Sequence, residues 1–164
     1  MADRTLAEIA ERMRDIDFAM LSTQTSGGAI ASRPMSNNRD VDYDGDSWFF
    51  ADESTRMVAD IEADPRVGLG YQGKAGLFGM RPFFLAIEGR AELIRDKGQF
   101  EAHWTSGLER WWPDGPDTPG IVLIKVHGER AHYWDGMDEG ELLLEKGALV
   151  GGAVSRPARG LASG

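Results

Sequence analysis

Between Ile30 and Ile61 the hydrophobic pattern of the chain changes character twice. A strand-like run ends in Arg33-Pro34-Met35, and a polar, turn-rich segment from Asn37 to Asp46 follows. Trp48-Phe49-Phe50-Ala51 is then apolar without alternation, which predicts a short strand buried on both faces. From Ser54 the spacing of Met57, Val58 and Ile61 becomes helical, with Ser54 as the expected N-cap and Asp64-Pro65 as the stop. Strand, loop, strand and helix in this order bring two arginines, Arg33 and Arg56, and a helix N-terminus beside an apolar wall. Such a place suits a flat, anionic ligand.

The flanking sequence constrains the architecture around that unit. Thr5 and Glu8 have capping-box spacing, and Leu6, Ile9, Met13 and Ile16 give a helix over Leu6–Asp15 with one apolar face. Phe18–Thr23 and Ala29–Ser36 read as strands joined by the turn Ser26-Gly27-Gly28, with Pro34 marking an edge, a bulge or a loop. Val67, Leu69 and Tyr71 alternate with Gly68, Gly70 and Gln72, a strand with little on one face. Gly73–Arg81 is a glycine-rich loop, and Pro82–Arg95 is long enough for a strand to need a bend at Glu88-Gly89. Asp96 and Gln99 cap a short helix through Phe100 and Trp104, and Trp111–Gly120 is loop. Ile121–Val126 and Arg130–Trp134 read as a closing pair of strands. Short turns between strands favour a small antiparallel barrel with flanking helices over a β-α-β sheet. Residues 1–146 are expected to form this domain, and residues 147–164 a flexible glycine-, alanine- and serine-rich tail.

Composition narrows the function classes. The chain has 164 residues and no cysteine, which removes disulfides, thiolate metal sites and cysteine nucleophiles. Its net charge of −9 makes nucleic acid and anionic membranes poor partners. No apolar run approaches the ~20 residues of a membrane span, and no signal peptide is expected, so a cytoplasmic location is the reading. Asp40, Asp42, Asp44 and Gly45 match the first half of a calcium loop, but the twelfth position is Ala51 where a glutamate is needed. No metal is predicted. His103, His127 and His132 read as structural, and no serine lies in a nucleophile-elbow pattern.

One constellation carries chemistry. A helix N-terminus welcomes phosphate, Thr55 adds a hydroxyl, and the guanidiniums of Arg56 and Arg33 can pair with it. The bland alternative is an ordinary cap whose arginines pair with Asp52 and Glu53. Trp104, Trp111 and Trp112 are core or interface rings, and also suit the wall of a cleft for a planar ring system.

The ordered set Arg33-Pro34-Met35, Trp48-Phe49-Phe50, Thr55-Arg56, Asp64-Pro65-Arg66-Val67, Glu88-Gly89-Arg90-Ala91, Trp111-Trp112-Pro113 and Tyr133-Trp134 resembles the general stress proteins of the pyridoxamine 5′-phosphate oxidase-like group. The resemblance runs from about Leu6 to Gly136. It implies a six-stranded antiparallel split β-barrel, a homodimer, and FMN in a cleft at the dimer interface. It places Arg33, Pro34 and Met35 along the ring and ribityl chain, and Phe50 and Ala51 against the flavin. Thr55 and Arg56 fall at the phosphate and Trp111 near the ring. FAD or a deazaflavin is the alternative cofactor for the same cleft. Met57 stands where the family usually has lysine, a change that weakens phosphate binding by roughly 1.5–3 kcal/mol. Phe84 falls near a position where the oxidase itself uses glutamine, which argues against that activity. The resemblance thus implies a flavin-binding stress-type protein working by electron or hydride transfer on an unnamed substrate. The rival is a non-catalytic barrel that stores flavin or binds a protein partner.

Overall fold

A computed structural model describes residues 3–37, 42–74 and 82–144. The chain runs α1 (Leu6–Met13), β1 (Phe18–Gln24), β2 (Ile30–Ser36), β3 (Asp46–Asp52), α2 (Arg56–Ala63), β4 (Arg66–Gln72), β5 (Phe83–Ile94), α3 (Lys97–His103), β6 (Ile121–Asp135) and β7 (Asp138–Leu143). Two single 3₁₀ turns, Leu108–Arg110 and Gly115–Asp117, punctuate the connection from α3 to β6. The tail from residue 147 and the 75–81 part of the glycine-rich loop lie outside the described residues, as does Asp40 of the half calcium loop. Among the described residues no helix is long and apolar enough to cross a membrane.

The strands form one antiparallel sheet in the order β2-β1-β4-β5-β6-β3, with β7 added as a hairpin to β6. This is the mainly antiparallel barrel with flanking helices that the sequence predicts, with β7 beyond the six strands of the main path. Neighbours in sequence are mostly neighbours in the sheet, except that β3 crosses to the far side and, among the described residues, pairs with β6 alone. Among the described residues β2 and β3 therefore each keep one unpaired edge, and the cleft between them splits the barrel. Pro34 lies on β2, an edge strand, where its missing N–H is tolerated.

The expected closing pair of strands is instead one strand. β6 continues for 15 residues through His127, Gly128 and Glu129. It can do so because a bulge absorbs the irregularity: the β5–β6 register shifts between Glu88 and Gly89, where the sequence placed a bend. Two glycines permit this close approach. A Cβ on Gly89 would lie 2.4 Å from the His127 carbonyl oxygen, and one on Gly128 2.7 Å from the Tyr43 hydroxyl. Any larger residue at either position forces the strands apart.

Two apolar clusters hold the elements together. The main one fills the barrel with Leu21, Leu69, Leu85, Ile87, Ile124 and Tyr133, and α1 closes it with Ile9 and Met13. The α1 capping box forms as expected, Glu8 N–H donating to Thr5 Oγ1 and Thr5 N–H to Glu8 Oε2 at 2.7 Å. The second cluster lies outside the barrel wall, where Phe50, Phe100, Ile121 and Leu123 pack with Trp104, Leu108 and Trp112. Here the rings meet edge to face, Phe50 with Trp104 at 5.0 Å and with Trp112 at 6.3 Å between centroids. This cluster ties the α3–β6 connection to β3 and so builds one wall of the site.

Candidate functional site

The head of the site is the start of α2. Its N-cap is Thr55 rather than Ser54: the Thr55 hydroxyl accepts the Val58 N–H, and Arg56 is the first helical residue. Ser54 is drawn away because its N–H and hydroxyl both donate to Asp52 Oδ1. The first turn of α2 carries no acidic residue. Among the described residues no hydrogen bond uses the backbone N–H of Arg56 or Met57. Glu53 is also turned aside, accepting from Arg95 at 2.5 and 2.8 Å. Asp52 and Glu53, the acids next to Arg56 in sequence, are thus committed elsewhere, and the helix end keeps its partial positive charge.

Arg33 reaches this end from β2 and is held firmly. Its Nη1 donates to Thr23 Oγ1 at 2.7 Å and to the Ala31 and Leu21 carbonyls at 3.2 and 3.3 Å. Its Nη2 lies 3.7 Å from Asp60 Oδ2, with the Arg33 side chain 22% and Asp60 6% exposed. Thr23 in turn donates to Asp60 at 2.9 Å, so hydroxyl, carboxylate and guanidinium form one buried network. Burial lowers the guanidinium pKa, Asp60 opposes that shift, and the nearby Arg56 charge reinforces it. Arg56 itself is exposed and has no ion pair among the described residues.

Along the seam the chemistry turns apolar. A cleft of about 990 Å³ opens between β2, β3 and the α3–β6 connection. Pro34 and Met35 line it from β2, Trp48 and Phe50 from β3, and Trp111 and Trp112 from the connection. Trp111 is 61% exposed, whereas Trp112 and Trp104 are held in the aromatic cluster. The connection is shaped by Glu109, which accepts from Trp104 Nε1 and from Gly107 N–H, both at 3.0 Å. The Trp104 hydrogen bond holds the Glu109 carboxyl below the usual carboxylate range. Gly107 has φ +97°, a conformation that glycine adopts without strain.

The residues singled out in sequence therefore divide into three groups. Pro34, Met35, Phe50 and Trp111 meet at the cleft. Arg33, Thr55 and Arg56 gather at the helix end and are not part of the cleft lining. Ala51 and Met57 are buried in the main core, 6% and 7% exposed, and their side chains are occupied by packing. Sequence reasoning missed Asp60, His103 and Arg110. Asp60 carried a signal, since it falls beside Val58 and Ile61 on the inner face of α2, where a carboxylate requires a partner. Arg110 borders the cleft because the α3–β6 connection folds back over β3, and His103, the last residue of α3, because its ring stacks on Trp48.

Comparison with known proteins agrees with this architecture. A family model described as "Pyridoxamine 5'-phosphate oxidase like" matches residues 4–147. General stress protein 26 of Bacillus subtilis (strain 168) is 26% identical over 95 residues, covering 57% of this chain. The match spans 64% of that relative, less than two thirds of its length. A solved protein related to general stress protein 26, from Clostridium acetobutylicum, has a TM-score of 0.72 at 21% identity, over 85% of this chain and 94% of its own. A heme binding protein from Mycobacterium smegmatis has a TM-score of 0.66 at 14% identity, over 96% of this chain and 60% of its own. At such identities the likeness to solved structures carries the fold alone. The family match takes in every described element from α1 to β7, and by it the chain belongs to the pyridoxamine 5′-phosphate oxidase-like family.

Proposed function

We propose that this protein binds a flavin mononucleotide, with the phosphate at the start of α2 and the ring system in the cleft. The observation that carries this reading is the start of α2, with no acid in its first turn and its Arg56 and Met57 N–H groups outside any hydrogen bond among the described residues, a few residues along the chain from the aromatic cleft at Phe50. Arg56 and the first backbone N–H groups of α2 would take the phosphate, the Thr55 hydroxyl would donate to it, and Arg33 would hold the ester from the β2 side. Pro34, Met35 and Phe50 would lie against one face of the ring, with Trp111 near its edge. When bound, FMN supplies electron or hydride transfer. The residues of this chain bind it, orient it and keep water off one face. FAD or a deazaflavin would use the same cleft. A titration with FMN followed by absorbance and tryptophan fluorescence tests the reading. Arg56→Ala should weaken binding by roughly tenfold to a hundredfold, the loss of a charge-assisted contact. An unchanged affinity would put the phosphate elsewhere.

The same proposal includes a homodimer. The outer face of β1, β5 and β6 exposes Phe18, Met20, Phe84 and Trp134, a large apolar area for a monomer. Phe18 borders both this face and the cleft, so a second copy seated there would border the cofactor. Phe84→Glu should shift the mass measured by light scattering from dimer to monomer.

A second reading is haem, favoured by one detail besides the heme binding protein of like fold. His103 borders the cleft with Nδ1 3.0 Å from the Gln99 carbonyl, an arrangement that fixes the tautomer and leaves Nε2 free to ligate iron. A Soret band on adding haemin, lost in His103→Ala, would favour it. Flavin absorbance in the purified protein would favour FMN.

A further inference from the structure

We propose that the wall of the cleft opposite the sheet holds the carboxylate of a second, planar organic ligand, with Arg110 as its ion-pair partner and His103 beside it. The proposal rests on the flavin reading for what occupies the sheet wall, but its anion subsite is built from other residues.

Room is the first observation. A cleft of about 990 Å³ lies at the top of the range of roughly 300–1,000 Å³ that small-ligand pockets occupy. A ring system lying on Pro34, Met35 and Phe50 leaves the space under the α3–β6 connection for a second molecule. The ionisable residues among the described lining sit away from the sheet: Arg14 and Asp15 after α1, His103 at the end of α3, and Arg110. On the β2 and β3 side the lining from Pro34 to Asn37 and from Trp48 to Phe50 carries no ionisable group. The end of α3 contributes His103 and the connection Arg110, and among the described residues neither adds a carboxylate to the lining.

The availability of Arg110 is the second observation. Its natural partner in sequence, Glu109, is committed to Trp104 Nε1 and Gly107 N–H. Among the described residues Arg110 makes no ion pair, in a chain whose net charge is −9. An uncommitted guanidinium at the lip of an aromatic cleft is suited to a planar acid, which it can bind in a two-point fork while the rings stack. His103 is pre-set for the same task. Its Nδ1 faces the Gln99 carbonyl, and its ring stacks on Trp48 with centroids 3.7 Å apart, so its orientation is fixed before any ligand arrives.

The test compares naphthalene-2-carboxylate with the neutral naphthalene-2-carboxamide by calorimetry, with and without saturating FMN. The carboxylate should bind about tenfold tighter, the value of one charge-assisted contact. Arg110→Ala should bring that ratio close to one, and Arg110→Lys should keep part of it. Equal binding of acid and amide, or a ratio that survives Arg110→Ala, overturns the subsite. The two readings fail separately: FMN uptake with no preference for the acid sinks the subsite alone, and acid preference in a protein that takes no FMN sinks the flavin reading alone. A protein that binds none of the three sinks both.

Discussion

The two walls of the cleft are built by different means. The β2 and β3 side belongs to a sheet whose ladder fixes each side chain, and it is backed by the main core and by the Thr23–Asp60–Arg33 network. The opposite wall is a connection between α3 and β6, pinned by Glu109, two 3₁₀ turns and an edge-to-face aromatic cluster. Changes behind the first wall act on the main core and the Thr23–Asp60–Arg33 network and so cost stability. The second can change its chemistry at small cost. Under the proposed function, position within the cleft would come from the sheet and selectivity from the loop.

The comparison can be broken most forcefully from behind the sheet. Leu21 is fully buried on β1, so Leu21→Ala should cost about 2–5 kcal/mol in denaturant unfolding and abolish ligand binding with the fold. Next comes Asp60→Ala, which leaves a mostly buried guanidinium and the Thr23 hydroxyl without their shared acceptor. Stability should fall by about 1–3 kcal/mol, moderated because water reaches the partly exposed Arg33, and FMN affinity should fall with it. If Asp60→Ala is as stable as the parent, the sheet wall is not held by this network.

The loop wall should respond more gently. Glu109→Gln removes the charge that accepts from Trp104 and Gly107, loosening the connection while the barrel stays folded. In the parent, the Trp104 hydrogen bond depresses the Glu109 pKa, so the contribution is present above the ordinary carboxylate range. It is lost as pH falls through the lowered value. The tryptophan emission should therefore shift in acid in the parent and less in Glu109→Gln. Smallest in stability is Trp111→Ala at an exposed position, expected within about 0.5 kcal/mol of the parent. Its effect should appear instead in FMN affinity. A large stability loss in that variant would make the loop wall part of the core after all.

The division between walls also explains what was legible in the sequence. The capping box of α1, the edge proline of β2 and the bend at Glu88-Gly89 are local signals, written in residues that touch each other or sit close in the chain. The head of α2 was legible for the same reason, although the cap moved by one residue because Ser54 bonds back to Asp52. The Arg33–Asp60 pair was not, since it joins β2 to the middle of α2 through a third residue on β1. The unbroken β6 was misread as two strands because Gly128 looks like a turn until its cross-strand neighbours are known. Arg110 was missed because a connection of single 3₁₀ turns has no sustained period from which a facing direction follows, and His103, at the end of α3, because its place depends on the Trp48 ring of a distant strand.

The crossing of β3 to β6 has a kinetic consequence. Asp46 and His127, 81 positions apart in the chain, must meet before the second edge of the seam exists. Pairings that distant carry a larger loop-closure cost and tend to form late. A nascent chain emerging from the ribosome has the head of α2 long before β6 has been made, yet lacks a finished groove to set beside it. Ligand capture would then double as proof that synthesis has passed β6, and the bound molecule would act as a latch on the last-formed seam.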